Sequence, residues 1–199
     1  QLGDKTSSSV SDQENVVINK GGTIEPGVTI KGFLRLGNGS VLKTGTYIEG
    51  PVIIEENSEI GPNAYLRPYA YIGSNCKVGN SSEVKNSIVM DESAVPHLSY
   101  VGDSIIGSNV NLGCGTVFAN VRLDKGPVHM NIKGKRVSTH RKKMGGVVGD
   151  NVSFGINVCV MPGKKVGSNS QIGSNTVVSE DVPRESLVYV KQKVKTTKF

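Results

Sequence analysis

Two pairs of polar residues have nearly the same spacing between their members, and they include side chains that can serve in catalysis or anion binding. Arg67 and Lys85 are eighteen residues apart, and each directly follows an aliphatic residue. His97 and Cys114 are seventeen residues apart, and each stands two positions after an aliphatic residue. If one structural period contains about eighteen residues, the members of each pair are neighbours in space.

The two cations of the first pair indicate an anion site. Like charges that face each other on neighbouring strands repel. A phosphate bound between Arg67 and Lys85 would relieve that repulsion through charge-assisted hydrogen bonds. The alternative is that both long side chains extend separately into solvent, and spacing alone does not decide between the two.

His97 is the candidate general base, because histidine can take up and release a proton near neutral pH. Glu83 and Tyr100 are also seventeen residues apart, each just before an aliphatic residue, so the same period would stack them. Polar groups would therefore gather around His97. A structural or solvated histidine is the alternative interpretation.

The elements that would position these residues follow from a six-residue repeat. Ile, Leu or Val occupies every sixth position from Ile18 to Val84, and a second series of Val, Ile or Phe runs from Val148 to Val178. Two shorter, five-residue steps occur between them, at Val84–Val89 and at Val101–Ile106. Gly often follows the aliphatic residue, and a small or β-branched residue often precedes it by two positions.

A period of six predicts an all-β fold in which each hexapeptide forms one short strand and one corner of a triangular coil. The aliphatic residue points inward, and Gly tolerates the dihedral angles of the turn. Three hexapeptides close one coil, and successive coils stack as parallel strands about 4.8 Å apart. Aromatic residues make up 5% of the chain and Trp is absent, which fits a narrow aliphatic core. A β-sandwich, the alternative, would show turn signals every 8–12 residues or so.

The repeat is interrupted over residues 119–147, which we interpret as an insertion that projects from the prism. Residues 121–146 carry one acidic residue, Asp124, and eight basic ones: Arg122, Lys125, Lys133, Lys135, Arg136, Arg141, Lys142 and Lys143. These residues give the insertion a net charge of +7, whereas the whole chain has a net charge of +6. The basic character of the chain is therefore local to this insertion. Nucleic-acid binding is not expected, since the segment has no aromatic residue on which a base could stack. Small polyphosphate ligands are favoured, and a merely solvated basic loop remains the alternative.

The predicted organisation is a polar lead-in or linker over 1–15, a β-helix domain over 16–183 and a basic tail over 184–199. The lead-in lacks the apolar region of a signal peptide, and no apolar run is long enough to cross a membrane. The three cysteines are not spaced as a zinc site or a disulfide framework, so we expect no metal and a cytoplasmic location.

Four segments carry a resemblance to a known family: 66–68, 82–85, 97–103 and 109–116. They resemble the C-terminal half of the bifunctional glucosamine-1-phosphate acetyltransferase/N-acetylglucosamine-1-phosphate uridylyltransferase and its archaeal relatives, the sugar-1-phosphate nucleotidylyltransferase/acetyltransferases. The resemblance covers residues 18–190 and is densest over 66–120. It implies a left-handed β-helix, a homotrimer, and acetyl-CoA-dependent N-acetylation of an amino-sugar 1-phosphate, either glucosamine or galactosamine.

The resemblance also implies roles for individual residues. His97 would be the base, with Glu83 beside it and Asn120 completing the catalytic group, and the transfer would be direct. The acceptor substrate would contact Arg67, Lys85, Tyr100, Asn111 and Lys125. Acetyl-CoA would bind at Gly113, Cys114, Ser174 and Lys191. Independently of the resemblance, the charge of the insertion indicates that Arg141, Lys142 and Lys143 bind its phosphates.

The chain departs from the family pattern at several positions. Cys114 stands where the bacterial family has Ala, Ile156 where it has Ser, and Lys191 where it has Arg. Cys114 raises the alternative of an acyl-cysteine intermediate, although direct transfer requires no nucleophile. The nucleotidyltransferase half is absent from these 199 residues and is expected upstream.

Two other functions stay open. The prism could be a non-catalytic trimerisation or regulatory scaffold for a sugar nucleotidyltransferase. It could also be a zinc carbonic anhydrase, but that activity needs three histidines on facing surfaces. His129 and His140 lie in the insertion, away from His97.

Overall fold

The computed structural model describes residues 16–199. These residues form short parallel strands that are stacked on the three faces of a prism. The first face contains β1 Val17–Asn19, β4 Leu34–Leu36, β7 Val52–Ile54, β10 Ala70–Ile72, β13 Ile88–Val89, β16 Ile105–Ile106, β20 Val147–Val148 and β23 Lys165–Val166. The second face contains β2 Thr23–Ile24, β5 Val41–Leu42, β8 Glu59–Ile60, β11 Lys77–Val78, β14 Ala94–Val95, β21 Ser153–Phe154, β24 Gln171–Ile172 and β26 Leu187–Val188. The third face contains β3 Thr29–Lys31, β6 Tyr47–Glu49, β9 Tyr65–Leu66, β12 Glu83–Lys85, β15 Tyr100–Gly102, β17 Val117–Phe118, β22 Cys159–Val160 and β25 Val177–Val178. The all-β class and the parallel β-helix of hexapeptide repeats are confirmed.

The core is the column of inward aliphatic residues that the six-residue repeat predicts. Leu36, Ile54 and Ile72 are fully buried at successive levels of the first face. Ile18 and Ile24 occupy the same kind of position in the first described coil, but they are 43% and 38% exposed. Burial of these aliphatic side chains, at about 25 cal/mol per Å2 of apolar surface, is the main stabilising contribution.

Most of the glycines that follow inward aliphatic residues serve a purpose other than the one predicted for them, although Gly61 does have a positive φ of 100°. Gly79 and Gly113 do not have the positive φ of a turn residue. A Cβ atom at Gly79 would lie 2.0 Å from the carbonyl oxygen of Pro96, and one at Gly113 would lie 2.3 Å from that of Gly155. These positions exclude side chains because the next coil passes too close. The left-handed conformation falls further along each corner, often on an asparagine such as Asn75 (φ 56°).

The two five-residue steps produce shortened corners between the third face and the first. Asn86 (φ 46°) and Asp103 (φ 51°) occupy the left-handed position of these corners. Pairing between β12 and β15 and between β13 and β16 is accordingly offset by seventeen residues instead of eighteen.

The insertion leaves the third face after β17 and returns to the first face at β20. We call residues 119–147 the arm. It contains an antiparallel hairpin of β18 His129–Ile132 and β19 Lys135–Ser138. The hairpin folds back on the prism instead of projecting freely: Val128 at its base is buried, and the Lys165 ammonium donates a hydrogen bond to the Asn131 carbonyl.

The two terminal segments can be compared with the predicted lead-in and basic tail. The predicted lead-in, 1–15, lies outside the described residues. The last strand, β26, falls within the segment predicted as a basic tail, and residues 189–199 that follow it form no strand. Among residues 16–199 no helix is long and apolar enough to cross a membrane.

Candidate active site

Arg67 and Lys85 lie on neighbouring strands of the third face, as their spacing predicts. Leu66 of β9 pairs with Val84 of β12, so the residues that follow them are adjacent. Each cation has its own carboxylate partner: Arg67 donates to Glu83 at 2.8 Å, and Lys85 donates to Asp103 at 3.1 Å. The repulsion between the two cations is therefore already relieved by the protein.

Arg67 is further held by an aromatic ring. Its guanidinium carbon lies 5.6 Å from the centroid of the Tyr65 ring, and the Tyr65 hydroxyl donates to Glu49 at 2.8 Å. The hydrogen bond to Glu83 raises the pKa of Arg67, so this side chain stays charged. A fixed, permanently charged guanidinium is suited to binding a phosphate.

Asp103 is the centre of the hydrogen-bond network. Its side chain is only 4% exposed, and its two oxygens accept hydrogen bonds from Lys85, from the Asn86 amide at 2.6 Å and from the Asn120 amide at 2.5 Å. Burial by itself would raise the pKa of Asp103, but these hydrogen bonds outweigh it and leave the pKa below its usual value. Asp103 is therefore a carboxylate at neutral pH.

Tyr100 lies beside this network on β15. Glu83 and Tyr100 face each other on β12 and β15, as predicted, and the Asn120 amide donates to the Tyr100 hydroxyl at 3.1 Å. Burial and the nearby charge of Glu83 raise the pKa of Tyr100, so the phenol keeps its proton and can donate it to a ligand. We call Arg67, Glu83, Lys85, Asn86, Tyr100, Asp103 and Asn120 the polar cluster.

His97 and Cys114 lie in adjacent coils at the corner that leads from the second face to the third. Ala94 and Asn111 form a parallel bridge, and the Gly115 amide donates to the His97 carbonyl at 3.2 Å, which places Cys114 next to His97. Their predicted stacking is confirmed. The His97 side chain is exposed and Cys114 is half-buried. Ser174 lies further along the same corner, where its hydroxyl accepts a hydrogen bond from the Ile156 amide at 3.2 Å.

Several of the residues predicted to act together are not brought into contact by the structure. Glu83 is hydrogen-bonded to Arg67, and within residues 16–199 its carboxylate has no hydrogen bond with His97. Asn111 lies on the second face, where it bridges Ala94 and Ser153. Lys125 is exposed on a turn of the arm, and Lys191 is exposed beyond the last strand.

The cations of the arm form a second positively charged region. Within residues 16–199, Arg122 alone of the eight has a carboxylate partner, Asp124, which accepts from its Nε at 2.8 Å. Lys142 and Lys143 are exposed. Arg141 lines a cleft of about 270 Å3 that also contains Asn86 and Asp103, so the arm reaches the edge of the polar cluster.

Asn86 and Asp103 are the members of the polar cluster that the sequence interpretation did not single out. A signal for them was present, because Asn86, Asp103 and Asn120 are spaced at intervals of seventeen residues. Two of them also lie within the five-residue steps of the repeat. Among residues 16–199 no group of three or more His, Cys, Asp or Glu side chains could hold a metal ion.

The parallel coils and their six-residue repeat place this protein in the class of hexapeptide-repeat β-helices. A family model described as the hexapeptide repeat of succinyl-transferase matches residues 147–180. A second family model, described as the GMPPB C-terminal domain, matches residues 48–161, which is more than half of the chain. The chain belongs to this second family.

Curated relatives confirm the resemblance found in the sequence. A protein from Methanococcus maripaludis named "Bifunctional protein GlmU" is 53% identical over 111 residues, covering 56% of this chain and 27% of its own. A "Bifunctional sugar-1-phosphate nucleotidylyltransferase/acetyltransferase" from Sulfurisphaera tokodaii is 48% identical over 170 residues, covering 85% of this chain and 42% of its own. The chain thus spans less than half the length of these relatives.

Two solved structures are similar to the chain at low identity and with low TM-scores. The UDP-N-acetylglucosamine O-acyltransferase LpxA from Moraxella catarrhalis is 16% identical, with a TM-score of 0.46 over 89% of this chain and 70% of its own. PerB from Caulobacter crescentus, solved with CoA and GDP-perosamine, is 17% identical, with a TM-score of 0.42 over 88% of this chain and 55% of its own.

Proposed function

We propose that the chain is an acetyl-CoA-dependent N-acetyltransferase that acts on an amino-sugar 1-phosphate, glucosamine 1-phosphate or galactosamine 1-phosphate. The observation that carries this proposal is the polar cluster, in which two fixed cations lie beside neutral hydrogen-bonding groups on one face. Support also comes from the relative named as a bifunctional sugar-1-phosphate nucleotidylyltransferase/acetyltransferase.

In the proposed complex Arg67 and Lys85 bind the phosphate of the acceptor. Glu83 and Asp103 hold the two cations in place, so phosphate binding adds an anion to a region that is already electrically balanced. Tyr100, Asn111 and Lys125 contact the acceptor, and Asn120 contacts its amine. A sugar without a phosphate would lose the charge-assisted contacts with both cations.

His97 acts as the general base in direct transfer. It takes a proton from the amine as the nitrogen attacks the thioester carbonyl; the carbon–sulfur bond then breaks, and the CoA thiolate takes up a proton. The backbone N–H of Cys114 is the proposed donor to the oxyanion, since those of Gly113 and Gly115 already donate to the carbonyls of Phe154 and His97. Cys114 contributes its backbone and forms no acyl intermediate.

Acetyl-CoA, the proposed co-substrate, fits the charge of the arm. It carries several phosphate charges, and seven of the eight arm cations have no carboxylate partner within residues 16–199. Arg141, Lys142 and Lys143 bind these phosphates, Ser174 lines the corner beyond Cys114, and Lys191 supplies a further cation. No metal takes part in this proposal.

The proposed assembly is a cytoplasmic homotrimer with a nucleotidyltransferase domain upstream in the full protein. A second candidate function follows from length, because the relatives are bifunctional and this chain covers 27% and 42% of the two compared above. The β-helix would then be a non-catalytic trimerising part of a sugar nucleotidyltransferase.

A turnover assay separates the two functions. The purified chain is offered acetyl-CoA with glucosamine 1-phosphate, galactosamine 1-phosphate or unphosphorylated glucosamine, and release of free thiol is followed. Acetylation that requires the phosphate is the expected result. A chain that releases no thiol above background with any acceptor would support the scaffold function instead.

A further inference from the structure

The groups around Asp103 are suited to an ionised carboxylate and not to an amide of the same shape. All three of its side-chain partners are donors: the ammonium of Lys85 and the amide nitrogens of Asn86 and Asn120. An ionised carboxylate can only accept, and its two oxygens satisfy all three. An asparagine at this position would turn one oxygen into an NH2 group that faces another donor.

Asp103 also fixes which end of the Asn120 amide is free. The Asn120 NH2 group donates to Asp103 and to the Tyr100 hydroxyl. The amide oxygen accepts no hydrogen bond from the described residues, and it is the atom left for a ligand. A carbonyl oxygen accepts from the N–H of a neutral amine and cannot donate to an oxyanion. Asn120 therefore suits the nucleophilic amine and leaves oxyanion stabilisation to the backbone.

The same carboxylate holds the phosphate-binding cation. The Lys85 side chain is 19% exposed, and its ammonium lies 3.1 Å from Asp103. The backbone of Asp103 also accepts a hydrogen bond from Gly145 at 2.8 Å, where the arm rejoins the prism, and Asn120 accepts one from Met144 at 2.9 Å. Asp103 thus connects Lys85, Asn120 and the base of the arm.

We propose that Asp103 is a positioning residue that sets the distance between the cation that binds the acceptor phosphate and the amide that binds the acceptor amine. It does so by holding Lys85 at one end and orienting the Asn120 amide at the other. This inference rests on the proposed function and adds to it the residue that aligns the nucleophile.

Asp103→Asn tests the proposal in the intact chain. We expect kcat/KM for the amino-sugar 1-phosphate to fall by about 10- to 100-fold, the range for losing one charge-assisted hydrogen bond. The loss should divide between a higher acceptor KM, through Lys85, and a lower kcat, through Asn120. The acetyl-CoA KM should stay unchanged, because the backbone bond from Gly145 to Asp103 survives the substitution. Asp91→Asn is the matched control, since Asp91 accepts the Ser74 amide at an exposed corner outside the polar cluster.

A double-mutant cycle with Asn120→Ala separates positioning from a purely structural role. If Asp103 acts through Asn120, the double variant should have nearly the same kcat as Asn120→Ala alone. Losses in kcat that multiply, together with a raised acetyl-CoA KM, would overturn the proposal, as would Asp103→Asn with parental kinetics.

Binding of glucosamine 1-phosphate, measured by calorimetry, gives a readout that does not need turnover. Asp103→Asn should weaken it, while Asp91→Asn should not. A parent chain that neither binds nor acetylates the acceptor would overturn the proposed function and this inference together. An active parent beside an unaffected Asp103→Asn variant would overturn this inference alone.

Discussion

Two carboxylates allow Arg67 and Lys85 to lie side by side on the third face. The spacing of the cations predicted their stacking, but it did not reveal that Glu83 and Asp103 would neutralise them. A phosphate that enters the cluster therefore meets a balanced set of charges and must compete with the existing ion pairs. Its affinity should come from geometry and hydrogen bonds more than from net charge.

The cations can be tested by removing them singly. Arg67→Ala and Lys85→Ala should each raise the KM for the amino-sugar 1-phosphate, since each removes a charge-assisted contact worth about 1.5–3 kcal/mol. The KM for acetyl-CoA should change little. Lys77→Ala is the control, because Lys77 pairs with Glu59 on the second face. Equal turnover of unphosphorylated glucosamine by the parent chain would contradict phosphate binding at this pair.

His97→Ala should affect chemistry far more than binding. Loss of a positioned base typically lowers kcat by about 10²- to 10⁴-fold, and the KM for each substrate should change little. The side chain is exposed, so the thermal unfolding midpoint should stay close to that of the parent. His140→Asn, on the exposed surface of the arm, is the control. Activity of His97→Ala within a few-fold of the parent would assign His97 a structural role.

Acid should weaken the fold through Asp103. Its pKa in the folded chain lies below the ordinary value of 3.8, so the unfolded chain binds more protons in this range. The stabilisation is fully present above pH 3.8 and is lost as the pH falls through the lower, folded-state value. The free energies of unfolding of the parent chain and of the Asp103→Asn variant, measured as a function of pH, should therefore converge below the folded-state pKa of Asp103. A difference that stays constant down to strongly acidic pH would contradict this prediction.

How far the sequence predicts single residues depends on whether they lie on the regular strands. Glu83 and Tyr100 were paired correctly because both lie on regular strands. Asp103 was missed because its role depends on side-chain contacts at a shortened corner, and the aliphatic repeat says nothing about such contacts.

Among the elements, the strands of the prism were predictable and the hairpin within the arm was not. The strands of the prism have an inward aliphatic or Phe residue at intervals of five or six, so the repeat identifies them. The arm hairpin has no such series: its strands are half-buried or exposed, and it turns at Lys133 and Gly134, both with positive φ. Its packing depends on contacts with a later coil, such as the bond from Lys165 to Asn131.

Three consecutive cations at the end of the arm allow a test of acetyl-CoA binding. Replacing Arg141, Lys142 and Lys143 with Ala should raise the KM for acetyl-CoA and flatten its dependence on salt, because fewer charges attract the polyanion. The fold should stay intact, since these side chains are exposed.

A matched variant removes the same charge from the hairpin. Replacing Lys133, Lys135 and Arg136 with Ala also takes three positive charges from the arm. If position matters, this variant should affect the acetyl-CoA KM less than the first. An unaltered KM in both variants, at low and high salt, would mean that the arm is a solvated loop.

At the scale of the whole molecule, the proposed trimer can be tested by the mass of the protein in solution. The arm exposes Leu123 completely and Val121 by 43%, which suits burial against another copy of the chain. Sedimentation should give a mass three times the 21.1 kDa of one chain. Leu123→Ser should shift the distribution toward smaller species. A parent chain that sediments at the mass of one chain would contradict the prediction.

The arm leaves and rejoins the prism at adjacent points, joined by the bridge between Val121 and Lys143. Strand β17 pairs directly with β22 across the whole inserted segment, so the stacking of coils continues as if the arm were absent. The entropy of closing a loop grows only slowly with its length, by about 0.6 kcal/mol for each doubling. Arms of other lengths and sequences could therefore be exchanged at this corner at little thermodynamic cost, which leaves ligand choice free to evolve separately from the scaffold.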